Sequence, residues 1–301
     1  MISRPASTET AGKRKVSGAR ALSEANREFS FDQKDFDFIA GLIKSKAGIV
    51  LNDSKINMVY GRLSRRLRAL GMTNFGQYCD LVASPEGKDE LMMFTNSLTT
   101  NLTKFFREAH HFEHMTNSLL PDVVDKAKQT GKRRLRIWSA GSSSGEEPYT
   151  IAMTVLDYMK DIHKWDARIL ATDIDTNMLD TSRKGIYTAE RVENIPSHLQ
   201  KMFVHPSSEE PGKFQMSPKL QSLIAFKSLN LLERWPMKGP FDAIFCRNVI
   251  IYFDRETQKN LIERYADLLA PGGILYVGHS ESLFDVTKRF KLLGQSIYQK
   301  L

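Results

Sequence analysis

Two apolar runs in this chain each end in residues that can bind a nucleoside. The first run, over residues 135–138, breaks at a turn of small residues in which Gly141 and Gly145 let the backbone approach a ligand closely. The second run ends at Asp173. Because a carboxylate at the end of a neighbouring parallel strand can accept hydrogen bonds from both hydroxyls of a ribose, the two motifs together predict a nucleoside site.

The residues around the two glycines narrow the choice of nucleoside. They match neither the Gly-x-Gly-x-x-Gly pattern nor the Gly-x-x-x-x-Gly-Lys-Ser/Thr pattern of phosphate-binding loops. Instead, Glu146 and Glu147 open the following helix, where they would repel a phosphate. They suit a ligand with a cation and no phosphate, such as S-adenosylmethionine (SAM). Since the helix dipole also stabilises acids in a first turn, we expect one of the two to be structural and the other to contact the ligand.

Strands and helices alternate from residue 121 to residue 301, which predicts an α/β domain with a doubly wound, mostly parallel sheet. After the first strand, the pattern predicts helices over 149–159, 176–184 and 256–269 and strands over 168–172, 241–246, 273–278 and 295–299. One polar, proline-containing interval breaks the alternation, with short β-like stretches at 213–216 and 223–226. We expect it to form an inserted small β subdomain over residues 187–227.

A small all-helical domain is predicted over residues 29–98. Apolar residues recur there at helical spacing up to Gly48 and again up to Gly71, and glycine is typical of the residue that ends a helix. Residues 99–120 are predicted to link this domain to the α/β domain. The polar, basic residues 1–28 lack apolar periodicity and are predicted to be a disordered tail.

The helix that ends at Gly71 carries three arginines without interleaved acids, Arg62, Arg65 and Arg66. At 3.6 residues per turn, this arginine cluster falls within about a third of the helix circumference. It is either a solvated face or a binding surface for an acidic partner.

Composition limits the possible partners and compartments. The 301 residues are 41% hydrophobic and 26% charged, an ordinary balance for a soluble chain, and the net charge of +8 suits nucleic acid, an anionic membrane or an acidic protein surface. There is neither a run of eighteen apolar residues nor a signal-peptide pattern, so we expect a cytoplasmic protein without membrane insertion. The two cysteines, Cys79 and Cys246, have no metal-ligand spacing, so no metal site is expected.

Five motifs make the chain resemble the CheR family of chemotaxis-receptor methyltransferases. They are LTTNLTKFFRE at 98–108, SAGSSSGEEPY at 139–149, ATDID at 171–175, FDAIFCRNVIIYF at 241–253 and GHSE at 278–281. The motifs occur in the order of the family, and the resemblance covers residues 29–301. It implies a class I SAM-methyltransferase fold with a helical N-terminal domain.

The resemblance also implies an activity and the residues that perform it. The family transfers a methyl group from SAM to glutamate side chains on the cytoplasmic helices of chemoreceptors and releases S-adenosylhomocysteine (SAH). The implied cofactor contacts are Asn101, Thr103, Arg107, Glu147, Asp173, Asn230, Leu231, Arg247 and Asn248, with Arg107 and Tyr252 closest to the chemistry. Chemoreceptor helices then become the expected acidic partner of the arginine cluster.

Several of these residues have a plain structural interpretation as well. Asn230 and Leu231 either flank the adenine or form a simple turn. Tyr252 lies in an apolar stretch and either fixes a substrate oxygen or belongs to the core. Phe105 and Phe106 either wall the site or pack between the domains.

No catalytic histidine is needed, because a glutamate side chain, with an unperturbed pKa of about 4.3, is already ionised at neutral pH. His110, His111 and His279 are therefore expected to be structural or surface residues. Two other classes stay open: a SAM-binding regulatory module without turnover, and a methyltransferase of another acidic protein. A nucleic-acid methyltransferase is disfavoured, because the Asp/Asn-Pro-Pro-Tyr/Phe motif for amino-group targets is absent.

Overall fold

The computed structural model describes residues 27–283 and 286–301, so residues 1–26 of the predicted disordered tail lie outside the described residues. The helices of the N-terminal part are α1 (Gln33–Ala47), α2 (Ile56–Leu70), α3 (Phe75–Ala83) and α4 (Lys88–Leu98). The later helices are α5 (His110–His114), α6 (Leu120–Thr130), α7 (Glu146–Tyr158), α8 (Thr176–Lys184), α9 (Ala189–Val192), α10 (Ser197–Phe203), α11 (Pro218–Gln221) and α12 (Arg255–Leu268). In the described ranges we find no helix that combines the length and the apolar character of a membrane span.

Local sequence signals set the ends of the first two helices. Asp32 caps α1 in a capping box with Asp35, and Gly48 ends it with a φ of 73°. Gly71 ends α2 in the same left-handed conformation, with a φ of 66°. Both predicted helix ends are confirmed. The apolar faces of α1 to α4 meet in one core, so the predicted all-helical N-terminal domain is confirmed as well.

Seven strands form the central sheet, in the order β6-β2-β1-β7-β8-β10-β9. They are β1 (Arg134–Ala140), β2 (Asp166–Asp173), β6 (Ile224–Ser228), β7 (Phe241–Cys246), β8 (Leu269–Val277), β9 (Phe290–Gly294) and β10 (Ile297–Lys300). The first five pair in parallel and the last two antiparallel. The chain crosses from β1 to β2 on one side and returns to β7 on the other, so the carboxyl end of β1 faces the crevice at the switch in strand order.

The central strands are buried on both faces, with one apolar cluster around Ile137 and another around Trp138. This confirms the predicted mostly parallel, doubly wound sheet. A second, antiparallel sheet has the order β3-β5-β4 and consists of β3 (Ile186–Tyr187), β4 (Val204–Pro206) and β5 (Phe214–Met216). It is the inserted small β element that the polar interval predicts.

Two strand assignments from the sequence are corrected. The stretch at 223–226 was expected in the small subdomain, but β6 pairs in parallel with β2, with Ile224 opposite Ile169, at the edge of the main sheet. Its side chains are at most half-buried, which explains why the stretch lacks the continuous apolar character of a central strand. The sequence also missed β9, the other edge strand, whose Lys291, Leu292 and Leu293 are exposed.

Candidate functional site

A cavity of about 460 Å³ opens at the carboxyl ends of β1, β2 and β7. Part of its wall comes from the N-terminal helical domain, through apolar residues that include Ile49, Val50 and Met58. All ten residues predicted to contact the cofactor or to lie closest to the chemistry line this one cavity: Asn101, Thr103, Arg107, Glu147, Asp173, Asn230, Leu231, Arg247, Asn248 and Tyr252. The fold therefore brings together segments that are up to about half the chain apart.

The glycine turn after β1 is held close to the end of β2. The N–H groups of Gly141 and Ser142 both donate to the Thr172 carbonyl, at 2.8 and 2.9 Å. Gly141 has a φ of 84°, and a Cβ there would lie 2.4 Å from Cγ2 of Val249, a cavity residue. Glycine is thus required both for the backbone conformation and for the space beside the cavity.

The two aspartates after the second apolar run have separate roles. Asp173 lines the cavity, and its carboxylate accepts hydrogen bonds from the N–H groups of Ser143 (2.7 Å) and Asp175 (2.9 Å). Burial raises the pKa of Asp173 to about 6. The side chain of Asp175 instead accepts from the N–H groups of Asn177 and Met178 and caps the N-terminus of α8.

The two glutamates that open α7 also differ. Glu146 is fully buried; the Ser144 hydroxyl donates to it at 2.7 Å, and Arg191 of the inserted segment lies 3.0 Å from it. Glu147 lines the cavity and accepts from Ser139 (2.8 Å) and Arg247 (3.0 Å). Burial raises the pKa of both carboxyls, although the neighbouring arginines oppose the shift. The predicted division into one structural acid and one acid at the site agrees with this arrangement.

Arg247, directly after β7, connects Glu147 at the cavity with Glu108. Its side chain is 2% exposed and lies 3.0 Å from Glu147 and 3.3 Å from Glu108. It also donates to the Arg107 carbonyl and stands over the Phe112 ring. Arg247 is therefore paired with two carboxylates while it holds the backbone of Arg107 in place.

The side chain of Arg107 is far less constrained. It is half-buried at the cavity and donates to the Leu102 carbonyl at 2.7 Å. A guanidinium has five N–H donors, so most of them remain for a ligand. Tyr252 is also half-buried at the cavity wall, which excludes its interpretation as a residue of the closed core.

Asn230 both lines the cavity and forms a turn. It lines the cavity, yet its amide donates to the Lys46 carbonyl (2.7 Å) and its oxygen accepts from the Leu232 N–H (3.0 Å), as in a turn. Leu231 is nearly buried in the core of the α/β domain and lines the cavity as well. Asn101 likewise donates to Asp175 (2.7 Å). These contacts join the N-terminal domain and its linker to the α/β domain around the cavity.

Of the two interpretations of Phe105 and Phe106, the structure favours packing over a wall of the site, because neither ring lines the cavity. Phe105 is 1% exposed and meets the Tyr187 ring edge-on at 5.1 Å. Phe106 packs against Phe112 at 5.6 Å. Both rings anchor the linker in the core of the α/β domain, and the apolar cavity wall comes instead from the N-terminal domain.

The arginine cluster is less open than the sequence indicates. Arg66 makes two hydrogen bonds to the carboxylate of Glu90 on α4, at 2.9 and 2.6 Å, and the Tyr78 hydroxyl donates to the same acid. Arg62 donates to the Thr99 carbonyl at 2.6 Å. Of the three, Arg65 alone is exposed, and Arg62 and Arg66 are half-buried. The sequence does not reveal these pairings because the partners of Arg62 and Arg66 lie on other segments.

Sequence reasoning missed three residues beside the cavity. Glu108 pairs with Arg247 and His279, while Glu281 accepts from the N–H groups of Asn248 and Gly278. His279, expected only to be structural or on the surface, is exposed and lines the cavity. All three residues lie within the motifs at 98–108 and 278–281. Their position in these motifs is the feature of the sequence from which they could have been predicted.

His111 fits its structural prediction. Its ring is fully buried and lies 3.1 Å from the Ser296 hydroxyl. Burial lowers the pKa of His111 to about 3, so the ring is neutral.

Comparison with known proteins relates this arrangement to one family. The model described as "CheR methyltransferase, SAM binding domain" matches residues 101–299, and "CheR methyltransferase, all-alpha domain" matches residues 34–99. The "Probable chemotaxis protein methyltransferase" of Rhizobium etli is 45% identical over 86% of this chain and 96% of its own length. The "Chemotaxis protein methyltransferase" of Escherichia coli is 44% identical over 92% of this chain and 94% of its own. The "Chemotaxis protein methyltransferase 2" of Pseudomonas aeruginosa is 42% identical over 91% and 95%.

Proposed function

The chain belongs to the CheR methyltransferase family, and from that premise we propose that it forms methyl esters on glutamate side chains of chemoreceptor cytoplasmic helices. It is a SAM-dependent methyltransferase of chemotaxis adaptation. The receptor glutamate as acceptor, and the roles given to individual residues below, are our proposals.

The single observation that carries the site assignment is the convergence of two carboxylates and an apolar wall in one cavity. SAM has an adenosine and a charged amino-acid end with a sulfonium, but no phosphate. Asp173 suits the ribose hydroxyls, and Glu147 suits the ammonium group, because both carboxylates lie at the cavity of about 460 Å³. Ile174 and Leu231 offer apolar contact to the adenine. These residues fit the donor.

The reaction requires alignment more than proton transfer. When bound, SAM supplies an electrophilic methyl group; the acceptor carboxylate forms the new O–C bond as the C–S bond breaks, and the electron pair of that bond stays on sulfur. The acceptor is already an anion, so no base is needed. The task of the protein is to hold the acceptor in line and exclude water, and alignment alone contributes roughly 7–11 kcal/mol in favourable cases.

Arg107 and Tyr252 are the residues we propose to hold the acceptor. The unoccupied donors of the Arg107 guanidinium can grip a carboxylate, which is a planar acceptor of matching geometry. The Tyr252 hydroxyl can fix the same group by one further hydrogen bond. Val50 and Met58 of the N-terminal domain line the cavity too, so the helical domain helps to exclude water from the reacting atoms.

A labelled-methyl assay tests the proposal. The full chain is incubated with SAM that carries a tritiated methyl group and with receptor-containing membranes. We expect labelled receptor whose label is released by mild alkali as methanol, because methyl esters hydrolyse in base and methylated amines do not. SAH binding without any transfer would favour the regulatory module, and transfer only to another acidic protein would favour the other methyltransferase class.

The affinity for SAH is expected to depend on pH through Asp173. With the pKa of Asp173 raised to about 6 by burial, the carboxylate is ionised at pH 7.5 and increasingly protonated below 6. Only the ionised form accepts freely from two hydroxyls, so the Kd for SAH should be flat above pH 7 and rise about tenfold per pH unit below 6. Isothermal titration from pH 5 to 8 measures this.

The Asp173→Asn variant serves as the control for that titration. It keeps the size of the side chain but cannot ionise, so its Kd should be high at every pH and should not vary through pH 6. A slope that persists in the variant would assign the titration to another group, with Glu147 next to be tested because burial raises its pKa also.

Within the arginine cluster, the structure distinguishes Arg65 from Arg66. Arg65→Glu should raise the KM for receptor about tenfold at low salt and less at high salt, with kcat and stability unchanged, because Arg65 is exposed. Arg66→Ala should instead lower the free energy of unfolding by about 1–3 kcal/mol, because Glu90 loses its charged partner. Steady-state kinetics and urea unfolding of both variants measure the difference; equal KM values for Arg65→Glu and the parent would leave Arg65 as a solvated residue.

A further inference from the structure

The turn that carries Arg107 has an unusual backbone. Phe106 and Glu108, on either side of Arg107, have positive φ angles of 53° and 56°. Residues with a Cβ rarely adopt this conformation, and it persists only where the surroundings hold it. The Arg247 guanidinium donates to the Arg107 carbonyl, and the Phe106 N–H donates to the Thr150 hydroxyl at 3.2 Å. The contacts that hold this turn therefore also decide where Arg107 lies.

Glu108 supplies the remaining contacts of the turn that the proposal uses, through both carboxylate oxygens. Its Oε2 lies 3.3 Å from Nη2 of Arg247, which follows β7. Its Oε1 accepts from the backbone N–H (3.3 Å) and the ring Nδ1 (3.0 Å) of His279, which follows β8. One carboxylate thus connects the Arg107 turn to the ends of two strands of the sheet.

Glu108 is ionised at neutral pH, so its carboxylate can accept the hydrogen bonds from His279 throughout that range. Burial by itself would raise the pKa of Glu108, but the hydrogen bonds from His279 and the charge of Arg247 outweigh it and lower the pKa to about 2. A carboxylate is an acceptor only, so the His279 ring must carry its proton on Nδ1 to donate. Both the neutral imidazole with its proton on Nδ1 and the protonated imidazolium can donate this hydrogen bond.

The side chain of His279 is far more exposed to solvent than that of Glu108. Its side chain is 72% exposed, whereas that of Glu108 is 10% exposed, and His279 lines the same cavity as Arg107. Arg247 is already paired with Glu147, so His279 is the partner of Glu108 that can be changed without leaving a charge buried alone.

We propose that His279 is a positioning residue for methyl transfer: its Nδ1–H donates to Glu108 and thereby holds the Arg107 turn against the cavity. This inference rests on the proposed function, in which Arg107 grips the acceptor carboxylate. It adds a residue of the motif at 278–281 to the machinery of the site. His279 itself takes no proton from the reaction.

Two variants of His279 test the hydrogen bond. His279→Ala should lower kcat about tenfold, because one hydrogen bond to a charged group is lost, while the KM for receptor and the Kd for SAH stay within about twofold. His279→Asn should restore kcat to within about twofold, since the asparagine Nδ2 stands where the histidine Nδ1 does. His163→Ala, at an exposed histidine outside the five motifs and just before the amino end of β2, away from the cavity, is the matched control and should leave kcat unchanged.

A second readout does not depend on activity. Amide hydrogen exchange over residues 102–109 should be faster in His279→Ala than in the parent and normal in His279→Asn. Equal kcat and equal exchange in the parent and the alanine variant would overturn the inference, and so would an asparagine variant as impaired as the alanine variant. If the parent binds SAH but methylates nothing, the proposed function fails, and the exchange comparison still decides whether His279 holds the turn.

Discussion

Replacement of Arg107 by alanine is expected to lower the rate of methyl transfer by about 10²–10³-fold, to the limit of detection of the assay. The guanidinium lies at the cavity and donates to the Leu102 carbonyl, so most of its five donors remain for the proposed acceptor. Loss of a charged donor that grips the reacting carboxylate removes binding that matters most in the transition state. Tritium transfer under single-turnover conditions measures the loss.

The fold should survive this change, which makes the result interpretable. Arg107 is half-buried and forms no ion pair with the residues that the structure describes, so the melting temperature of Arg107→Ala should stay within a few degrees of the parent. Tyr252→Phe is the milder comparison: it removes one hydroxyl and should lower the rate more than it weakens SAH binding. Full activity in the Arg107 variant would remove Arg107 from the proposed reaction.

The sequence predicts those parts of the fold whose determinants are local. The strand over 241–246 and the helix over 176–184 have the predicted bounds, because a continuous apolar run and a capped amphipathic segment are visible in the chain itself. Edge strands are different. The strands β6 and β9 have exposed side chains, so their pattern resembles that of a loop.

Partners distant in sequence explain why the candidate site was only partly predictable. All ten predicted residues meet at one cavity, because each follows a strand or lies in a motif that the fold places there. What the sequence could not reveal is how each charge is paired. Arg66 looks free along its own helix, yet it is paired with Glu90, and Glu146 looks like a ligand residue until Arg191 is seen beside it.

The same reasoning applies to Arg247, which the resemblance marks as a cofactor contact. Its side chain is paired with Glu108 and Glu147, so these three groups carry one net negative charge in nearly buried surroundings. A guanidinium that is already shared by two carboxylates has little left for a third anion. We therefore expect Arg247 to act mainly by holding Glu147 and the Arg107 backbone beside the ligand.

Arg247→Ala should then lower the free energy of unfolding by about 3–5 kcal/mol, which is typical when one partner of a buried ion pair is removed. Arg289→Ala is the matched control: this arginine pairs with Glu263 and Asp267 at the surface, with 39% of its side chain exposed, and its loss should lower the stability by at most about 1 kcal/mol. Urea unfolding of both variants and the parent at pH 8 gives the comparison. Equal losses for the two variants would contradict the pairing of Arg247.

The pH dependence of the Arg247→Ala variant identifies the cause of its instability. Burial raises the pKa of Glu147, and Arg247 opposes that rise, so removing the arginine should raise the pKa of the folded state further. A carboxyl whose pKa is higher in the folded than in the unfolded state favours folding when it is protonated, so the stability lost at pH 8 should be regained as the pH falls. We expect the difference in stability between the parent and Arg247→Ala to shrink between pH 8 and pH 5.5. The difference between the parent and Arg289→Ala is at most about 1 kcal/mol at pH 8, so it cannot shrink by more than that. A deficit that is the same at both pH values would mean that lost packing against Phe112, and not an unpaired carboxylate, destabilises the variant.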